Sequence, residues 1–148
     1  MSYETAREQI VQIVEEDAAP ALKLRASGDR YKHFKTANAE RLPVTRGFYL
    51  EAAGGNVKGP LTSITRRRNA EITINMAYQD IKNVQDLDNL IISDYEQISD
   101  ALLNVANWNA STSGLRKISV GGDIILTYEV TDTDEGKLLS IAVPLEYE

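Results

Sequence analysis

An alternating segment in the middle of the chain constrains the fold more than any other feature of the sequence. From Ile72 to Tyr78 every second residue is large and apolar, and small or polar residues stand between them. Successive side chains of a β-strand point to opposite faces, so a period of two predicts a strand with one buried face. Such a strand is stable only with partner strands and with a layer that covers its apolar face.

Two amphipathic helices are predicted to supply the covering layer. Apolar residues recur at helical spacing from Tyr3 to Ala18 and again from Leu87 to Trp108. Ser2 can cap the first helix and Pro20 ends it, because proline has no backbone N–H to donate. We expect the second helix to be the main helix of the core.

Strand patterns account for much of the remaining chain. Gly47–Ala52 alternates and precedes a predicted loop at Gly54–Pro60, which suggests a hairpin with the central strand. A meander of three antiparallel strands is predicted to follow the second helix, at Leu115–Val120, Ile124–Thr131 and Leu138–Tyr147. Pro144 cannot donate to a ladder, so the last strand is predicted to lie at an edge of the sheet or to end there.

Together these elements predict a single α+β domain over residues 1–148. Its sheet is mostly antiparallel and is covered by an N-terminal helix and one long central helix. Residues 25–45 form a predicted arm with no clear period beyond a short strand at Tyr31–Phe34. In an unbroken strand, Arg66 and Arg68 would share the buried face of Ile72, which is unfavourable for unpaired guanidinium groups. We therefore expect the hairpin to project beyond the core.

Charge is distributed very unevenly along the chain, whose net charge is −6 at pH 7. Residues 23–68 carry eleven Lys or Arg and three acids, whereas residues 69–148 carry four Lys or Arg and fourteen acids. Three explanations are open. The basic segment binds nucleic acid, the opposite charges pack within one subunit, or one subunit's basic surface docks on the acidic surface of the next.

No residue pattern predicts catalysis, a cofactor site or a metal site. The chain has no cysteine, and its one histidine, His33, is flanked by lysines and is expected on the surface. Gly54–Pro60 has glycines at phosphate-loop spacing, but Pro60 replaces the required lysine. Asp132–Gly136 resembles the start of a calcium loop, but its glycine comes one residue early. Met1–Asp17 carries five acids, which argues against a secretory signal or a membrane span.

The order of these elements resembles that of the tail terminator, or tail completion, proteins of tailed bacteriophages and phage-derived contractile particles. The resemblance lies in the N-terminal helix, the strand Glu71–Tyr78 that runs through Met76–Asp80, the helix Leu87–Trp108 and the closing segment Ile141–Tyr147. It covers most of the chain. The family shares an order of elements rather than a motif, so the resemblance assigns no catalytic or ligand-binding residue.

The resemblance implies a structural virion protein of the tail neck that is assembled in the cytoplasm of the host bacterium. A ring of six copies would cap the tail tube, end its polymerisation and join the tail to the head-side connector. The partners would be the tail tube protein, a connector or neck protein and, in a contractile particle, the sheath protein. DNA would pass through the lumen without sequence-specific binding. No enzymatic activity, cofactor or membrane contact is expected.

A ring whose subunits meet head to tail needs two different complementary surfaces on each subunit, and the oppositely charged segments can supply them. The basic residues predicted to contact a neighbouring subunit or another partner are Arg30, Lys32, Lys35, Lys58, Arg66, Arg67 and Arg68. Two other interpretations stay open: another neck or connector subunit, and a small nucleic-acid-binding module that uses residues 23–68. An enzyme is the least favoured class.

Overall fold

A six-stranded sheet and two main helices form the described part of the chain. The computed structural model describes residues 3–22, 30–34, 45–58, 67–79, 84–118, 126–133 and 136–147. The helical elements are α1 (Tyr3–Gln12), a π-helical turn (Ile13–Asp17), α2 (Val84–Leu103), a 3-10 turn (Val105–Asn107) and α3 (Ala110–Ser113). The strands are β1 (Lys32–His33), β2 (Gly47–Lys58), β3 (Arg67–Gln79), β4 (Leu115–Ile118), β5 (Thr127–Thr133) and β6 (Gly136–Tyr147).

The sheet is mostly antiparallel, as predicted. Its strand order is β1-β2-β3-β6-β4, and β5 also pairs with β6. β1 runs parallel to β2, whereas the other described pairings are antiparallel. The predicted short strand at Tyr31–Phe34 is confirmed as β1, and the α+β fold class is confirmed with it.

Both main helices pack on the same face of the sheet. The apolar residues of the alternating segment lie on this face, and Ile72, Ile74 and Met76 are fully buried. Ile10 of α1 and Ile98 of α2 join them in one core cluster. Burial of a side chain of this size contributes about 1.5–3 kcal/mol relative to exposure. The apolar stripes that predict the two helices are thus the surfaces that hold them to the sheet.

β2 is longer than its sequence pattern predicts. It continues to Lys58, so the predicted loop at Gly54–Pro60 is wrong for residues 54–58. One extra residue of β2 shifts the register with β3 between Ala52 and Gly54. A bulge of this kind lets a strand bend and continue past a break in its alternation, which is why the pattern alone ends too early.

The basic end of β3 escapes burial because of its position at the end of the sheet. β3 pairs with β6 from Arg68 to Gln79 without any shift, so no bulge moves Arg68 off the helix-covered face. Arg68 is nevertheless exposed, and its pair with Tyr147 is the last described pair of β3 with β6 at this end. The pair between Lys58 and Arg67 lies one step further out.

β6 is a central strand, which corrects the predicted meander and the predicted edge position of Pro144. It pairs with β3 on one side and with both β4 and β5 on the other. The β5 pairing ends at Ala142 and the β4 pairing begins at Leu145, so Pro144 lies between them. A proline at this position deprives neither β4 nor β5 of a hydrogen bond. The predicted turn at Gly121–Asp123 lies outside the described residues.

The central helix is shorter than predicted, because it ends at Leu103 instead of Trp108. The side chain of Asn104 accepts a hydrogen bond from the backbone N–H of Ala106 at 3.2 Å and so begins the 3-10 turn. Trp108 is still buried, and its Nε1 donates to the carbonyl oxygen of Leu102 at 2.7 Å. The apolar period therefore outlasts the helix, since the turn brings the indole back to the core.

Candidate interface surfaces and a buried ion pair

A fully buried ion pair joins the turn before β2 to the middle of α2. Nε of Arg46 donates to Oδ2 of Asp94 at 2.8 Å, and Nη2 of Arg46 donates to Oδ1 at 3.0 Å. The two side chains are 1% and 0% exposed. Paired N–H···O bonds between a guanidinium and a carboxylate combine charge with a fixed orientation, so they fix the two elements relative to each other.

Two tyrosines complete the surroundings of the Asp94 carboxylate. The Tyr31 hydroxyl donates to Oδ1 at 2.9 Å, and the Tyr78 hydroxyl donates to Oδ2 at 2.7 Å. Burial raises the pKa of both hydroxyls above the usual value of 10.0, and the charge and hydrogen bonds of Asp94 raise it further. Both hydroxyls therefore remain protonated donors near neutral pH.

Arg46 also connects segments that are far apart in the sequence. Its Nη2 donates to the carbonyl oxygen of Leu22 at 2.5 Å, and its backbone N–H donates to the carbonyl oxygen of Ala77 at 2.8 Å. Its own carbonyl oxygen accepts from the N–H of Lys32 at 3.1 Å. The φ angle of Arg46 is 68°, a left-handed conformation that costs a non-glycine residue roughly 1–2 kcal/mol. These bonds hold the turn in that conformation.

The ion pair is a structural centre and not a catalytic one. Asp94 is 0% exposed and Arg46 is 1% exposed, so a substrate in solvent does not reach either group. Sequence reasoning missed the pair, although one signal was present: Asp94 interrupts the apolar stripe of α2 one turn after Leu90 and Ile91 and one turn before Ile98. A lone carboxylate on an apolar stripe indicates a buried partner.

The structure places Arg68, one of the predicted interface residues, on the surface. Arg68 is exposed, and its side chain makes no ion pair with another described residue. Lys58 and Arg67 are neighbours in the backbone register at the same end of the sheet. Arg66 and Lys35 lie outside the described residues.

Arg30 and Lys32 lie at a different place from the hairpin end. Both are exposed, and Nζ of Lys32 lies 5.5 Å from the ring centroid of Phe34. Lys32 pairs with Gly47, at the start of β2, whereas Lys58 ends that strand. At about 3.3 Å per residue the two ends of β2 are roughly 35 Å apart. The predicted basic residues therefore divide between two regions.

A group of carboxylates occupies the sheet face turned away from α1 and α2. Glu51 pairs with Thr73, Glu71 pairs with Pro144, and Glu129 pairs with Ser140, which places all three on this face. All three are exposed, and none makes an ion pair with another described residue. We call this surface, defined by Glu51, Glu71 and Glu129, the glutamate face.

Small side chains surround the glutamate face and leave a shallow cleft of about 420 Å³. The cleft is lined by Thr73, Thr127, Tyr128, Glu129, Ser140 and Ala142. Nearby, Oδ1 of Asn75 accepts from the Ser140 hydroxyl at 2.8 Å. Nδ2 of Asn75 is buried and has no hydrogen-bond partner among the described residues. Sequence reasoning did not single out these residues, because strand register decides which acids share a face.

A second cleft, of about 230 Å³, lies between α1 and the β1 edge of the sheet and is lined by Glu4, Arg7, Glu8, Val11 and His33. Nη2 of Arg7 donates to the carbonyl oxygen of Leu50 at 3.3 Å. The predicted surface position of His33 is only partly correct. His33 is half-buried, and its ring centroid lies 5.3 Å from that of Phe48.

Comparison with known proteins assigns this chain to no family. The chain matches no protein-family model and no curated protein. Among the described residues, no group of three or more His, Cys, Asp or Glu is placed to hold a metal ion. No helix within the described ranges is long and apolar enough to cross a membrane.

Proposed function

We propose that the protein is the structural subunit of a ring, and that the ring is the tail terminator of a tailed bacteriophage or of a phage-derived contractile particle. In this role the ring has six copies and no enzymatic activity. It caps the tail tube, ends its polymerisation and joins the tail to the head-side connector. The α+β fold and the order of its elements agree with the resemblance noted in the sequence.

The observation that carries the proposal is the separation of unpaired opposite charges on one subunit. Arg68 is exposed at the hairpin end without an ion-pair partner among the described residues. Glu51, Glu71 and Glu129 are exposed together on the glutamate face, also without ion pairs in the described part of the chain. Neutralisation by other described residues of the same subunit does not account for these charges, whereas contact between subunits would.

Unpaired strand edges give further support. β5 pairs with β6 on one side, and no described strand pairs with its other side. β1 covers only the first two residues of β2, so the outer edge of β2 beyond Phe48 faces no described strand. Unpaired N–H and C=O groups at sheet edges favour pairing with another chain. Two different open edges suit a subunit that meets its neighbours head to tail.

Native mass spectrometry at two ionic strengths tests the proposal. Charges are screened over about 30 Å at 0.01 M salt and about 8 Å at 0.15 M, so salt weakens contacts between exposed charges. We expect hexamers at low salt, a shift toward monomers at higher salt, and closed rings in negative-stain images of the low-salt sample. A strict monomer at every protein concentration and at both ionic strengths overturns the proposal.

A further inference from the structure

We infer that the glutamate face is the surface that receives the basic end of the β2–β3 hairpin from a second copy of the chain. This inference rests on the proposed ring and names its interface. The basic hairpin end is defined by Lys58, Arg67 and Arg68. Arg66, which precedes Arg67, lies outside the described residues. The chemistry required of the occupant is an extended backbone that carries several cationic side chains.

The glutamate face carries more negative charge than the described residues of its own subunit neutralise. Glu51 and Glu71 are diagonal neighbours across β2 and β3, a separation of roughly 7–8 Å. Two like charges at this separation on one sheet face repel each other. By contrast, Asp88 on α2 has its own partner, since Nζ of Lys137 lies 3.1 Å from its Oδ1. A cation from outside the subunit would relieve the repulsion on the glutamate face.

The surroundings of the glutamate face suit a docked backbone. The cleft beside Glu129 is lined largely by small side chains, so a strand can approach the sheet closely. Asn75, which is 4% exposed, carries an amide donor with no partner among the described residues. Buried donors are almost always hydrogen-bonded, and a carbonyl oxygen of a docked backbone is the type of acceptor that would satisfy this one.

The hairpin end is suited to be that occupant in another copy. The pair between Lys58 and Arg67 lies beyond the last described pair of β3 with β6, so the hairpin end lies at the end of the described sheet. Arg68 and Glu71 are three positions apart on one strand and therefore point to opposite faces. Within one subunit they do not meet. Contact between two different surfaces of successive copies closes into a ring when the rotation allows it.

A charge exchange between two variants tests the inference. The first variant, Glu71→Lys with Glu129→Lys, reverses the glutamate face. The second, Arg67→Glu with Arg68→Glu, reverses the hairpin end. We expect each variant alone to lose the hexamer at low salt. An equal mixture should regain it, because each Arg-bearing hairpin then meets a Glu-bearing face and each Glu-bearing hairpin meets a Lys-bearing face.

A matched control reverses two exposed acids on the other side of the molecule. Glu96→Lys with Asp100→Lys on α2 changes the net charge by the same amount as the first variant, and we expect it to keep the hexamer. All the altered side chains that the structure describes are exposed, and unchanged circular dichroism would establish that each variant folds. The control separates the effect of position from that of net charge.

The outcomes distinguish the inference from the proposed function. If the wild type forms rings and the Glu71→Lys, Glu129→Lys variant forms them equally well, the inference is wrong and the ring proposal stands. Failure of the mixture to reassemble also overturns the inference. If the wild type is monomeric under all conditions, both are overturned.

Discussion

At the scale of single residues, the Asp94 carboxylate is where the structure concentrates its polar interactions. It accepts four hydrogen bonds, two from Arg46, one from Tyr31 and one from Tyr78. A buried ion pair adds little stability beyond what well-packed apolar side chains of the same volume would give. Removal of one partner, however, is strongly destabilising. The remaining partner is then left buried without its counter-charge.

Asp94→Asn is therefore expected to destabilise the protein by about 3–5 kcal/mol, because Arg46 keeps its charge and loses its carboxylate. Urea unfolding followed by circular dichroism measures the change. Asp88→Asn is the matched control on the same helix. Its side chain is 55% exposed, so the bond to Lys137 is screened and the expected change is within about 0.5 kcal/mol. Equal losses in the two variants would contradict the prediction.

The two tyrosines predict that stability falls at alkaline pH. Their pKa values are raised in the folded protein, so the unfolded chain releases these protons first, near pH 10. Their contribution is complete below that pH and is lost as the pH rises, with a slope of up to about 1.4 kcal/mol per pH unit for each tyrosine. Urea unfolding of the wild type and of Tyr78→Phe, below and above pH 10, measures this slope. An identical slope in Tyr78→Phe would show that Tyr78 does not contribute.

At the scale of elements, side chains of α1 hold the connection between α2 and β4. Nε2 of Gln9 donates to the carbonyl oxygen of Asn107 at 2.8 Å. The Thr5 hydroxyl donates to the carbonyl oxygen of Ser113 at 2.8 Å. Gln9 is 6% exposed, so these bonds are formed where water does not substitute freely. They tie the first helix to a segment more than ninety residues later.

Gln9→Ala is expected to cost about 1–3 kcal/mol, because it leaves a partly buried carbonyl without its donor. Gln12→Ala removes the same type of side chain from the exposed side of the helix, where Nε2 of Gln12 donates to Glu16 at 3.2 Å. That control is expected to change stability by less than about 0.5 kcal/mol. Thermal or urea unfolding of both variants measures the difference. A cost for Gln12→Ala as large as that for Gln9→Ala would contradict the prediction, because alanine is the better helix former and Gln12 makes no buried hydrogen bond that is lost.

Sequence periodicity predicts those elements whose burial is decided locally. The alternation from Ile72 to Tyr78 predicts β3, and the stripes of α1 and α2 predict the helix-covered face. Strand partners depend on contacts distant in sequence, which explains why the meander and the edge position of Pro144 were wrong. The end of α2 was missed because Trp108 continues the apolar period through a turn. The position of Asp94 on the apolar stripe of α2 indicates a buried carboxylate with a partner, but nothing in the sequence identifies that partner as Arg46.

At the scale of the whole molecule, the candidate interface combines one prediction with one observation that needed the structure. The basic run at Arg66–Arg68 is visible in the sequence, and the structure confirms only that Arg68 is exposed. The glutamate face could not be predicted, since its three members belong to three strands and share a face only through their register. Subunit contact at these surfaces stays a proposal.

Hydrogen exchange provides a test of the assembly in solution. We expect the backbone amides of Thr127–Thr133 to exchange faster in the monomer than those of the central strands, because β5 has an unpaired edge. In the ring, peptides from the glutamate face should become more protected, whereas peptides from the exposed side of α2 should not change. Uniform protection across both regions would contradict a specific interface. The measurement compares low-salt and high-salt samples of the same protein.

The central position of β6 also has a consequence for the order of folding during synthesis. β3 can pair with β6 only after Gly136–Tyr147 has been synthesised. The pair between Arg68 and Tyr147, for example, joins residues that are far apart in the sequence. Until then, a ribosome-bound chain carries the apolar face of β3 without the strand that completes the core. The pairing of β3 with β6 joins residues far apart in sequence, and an apolar face exposed before this pairing forms favours aggregation.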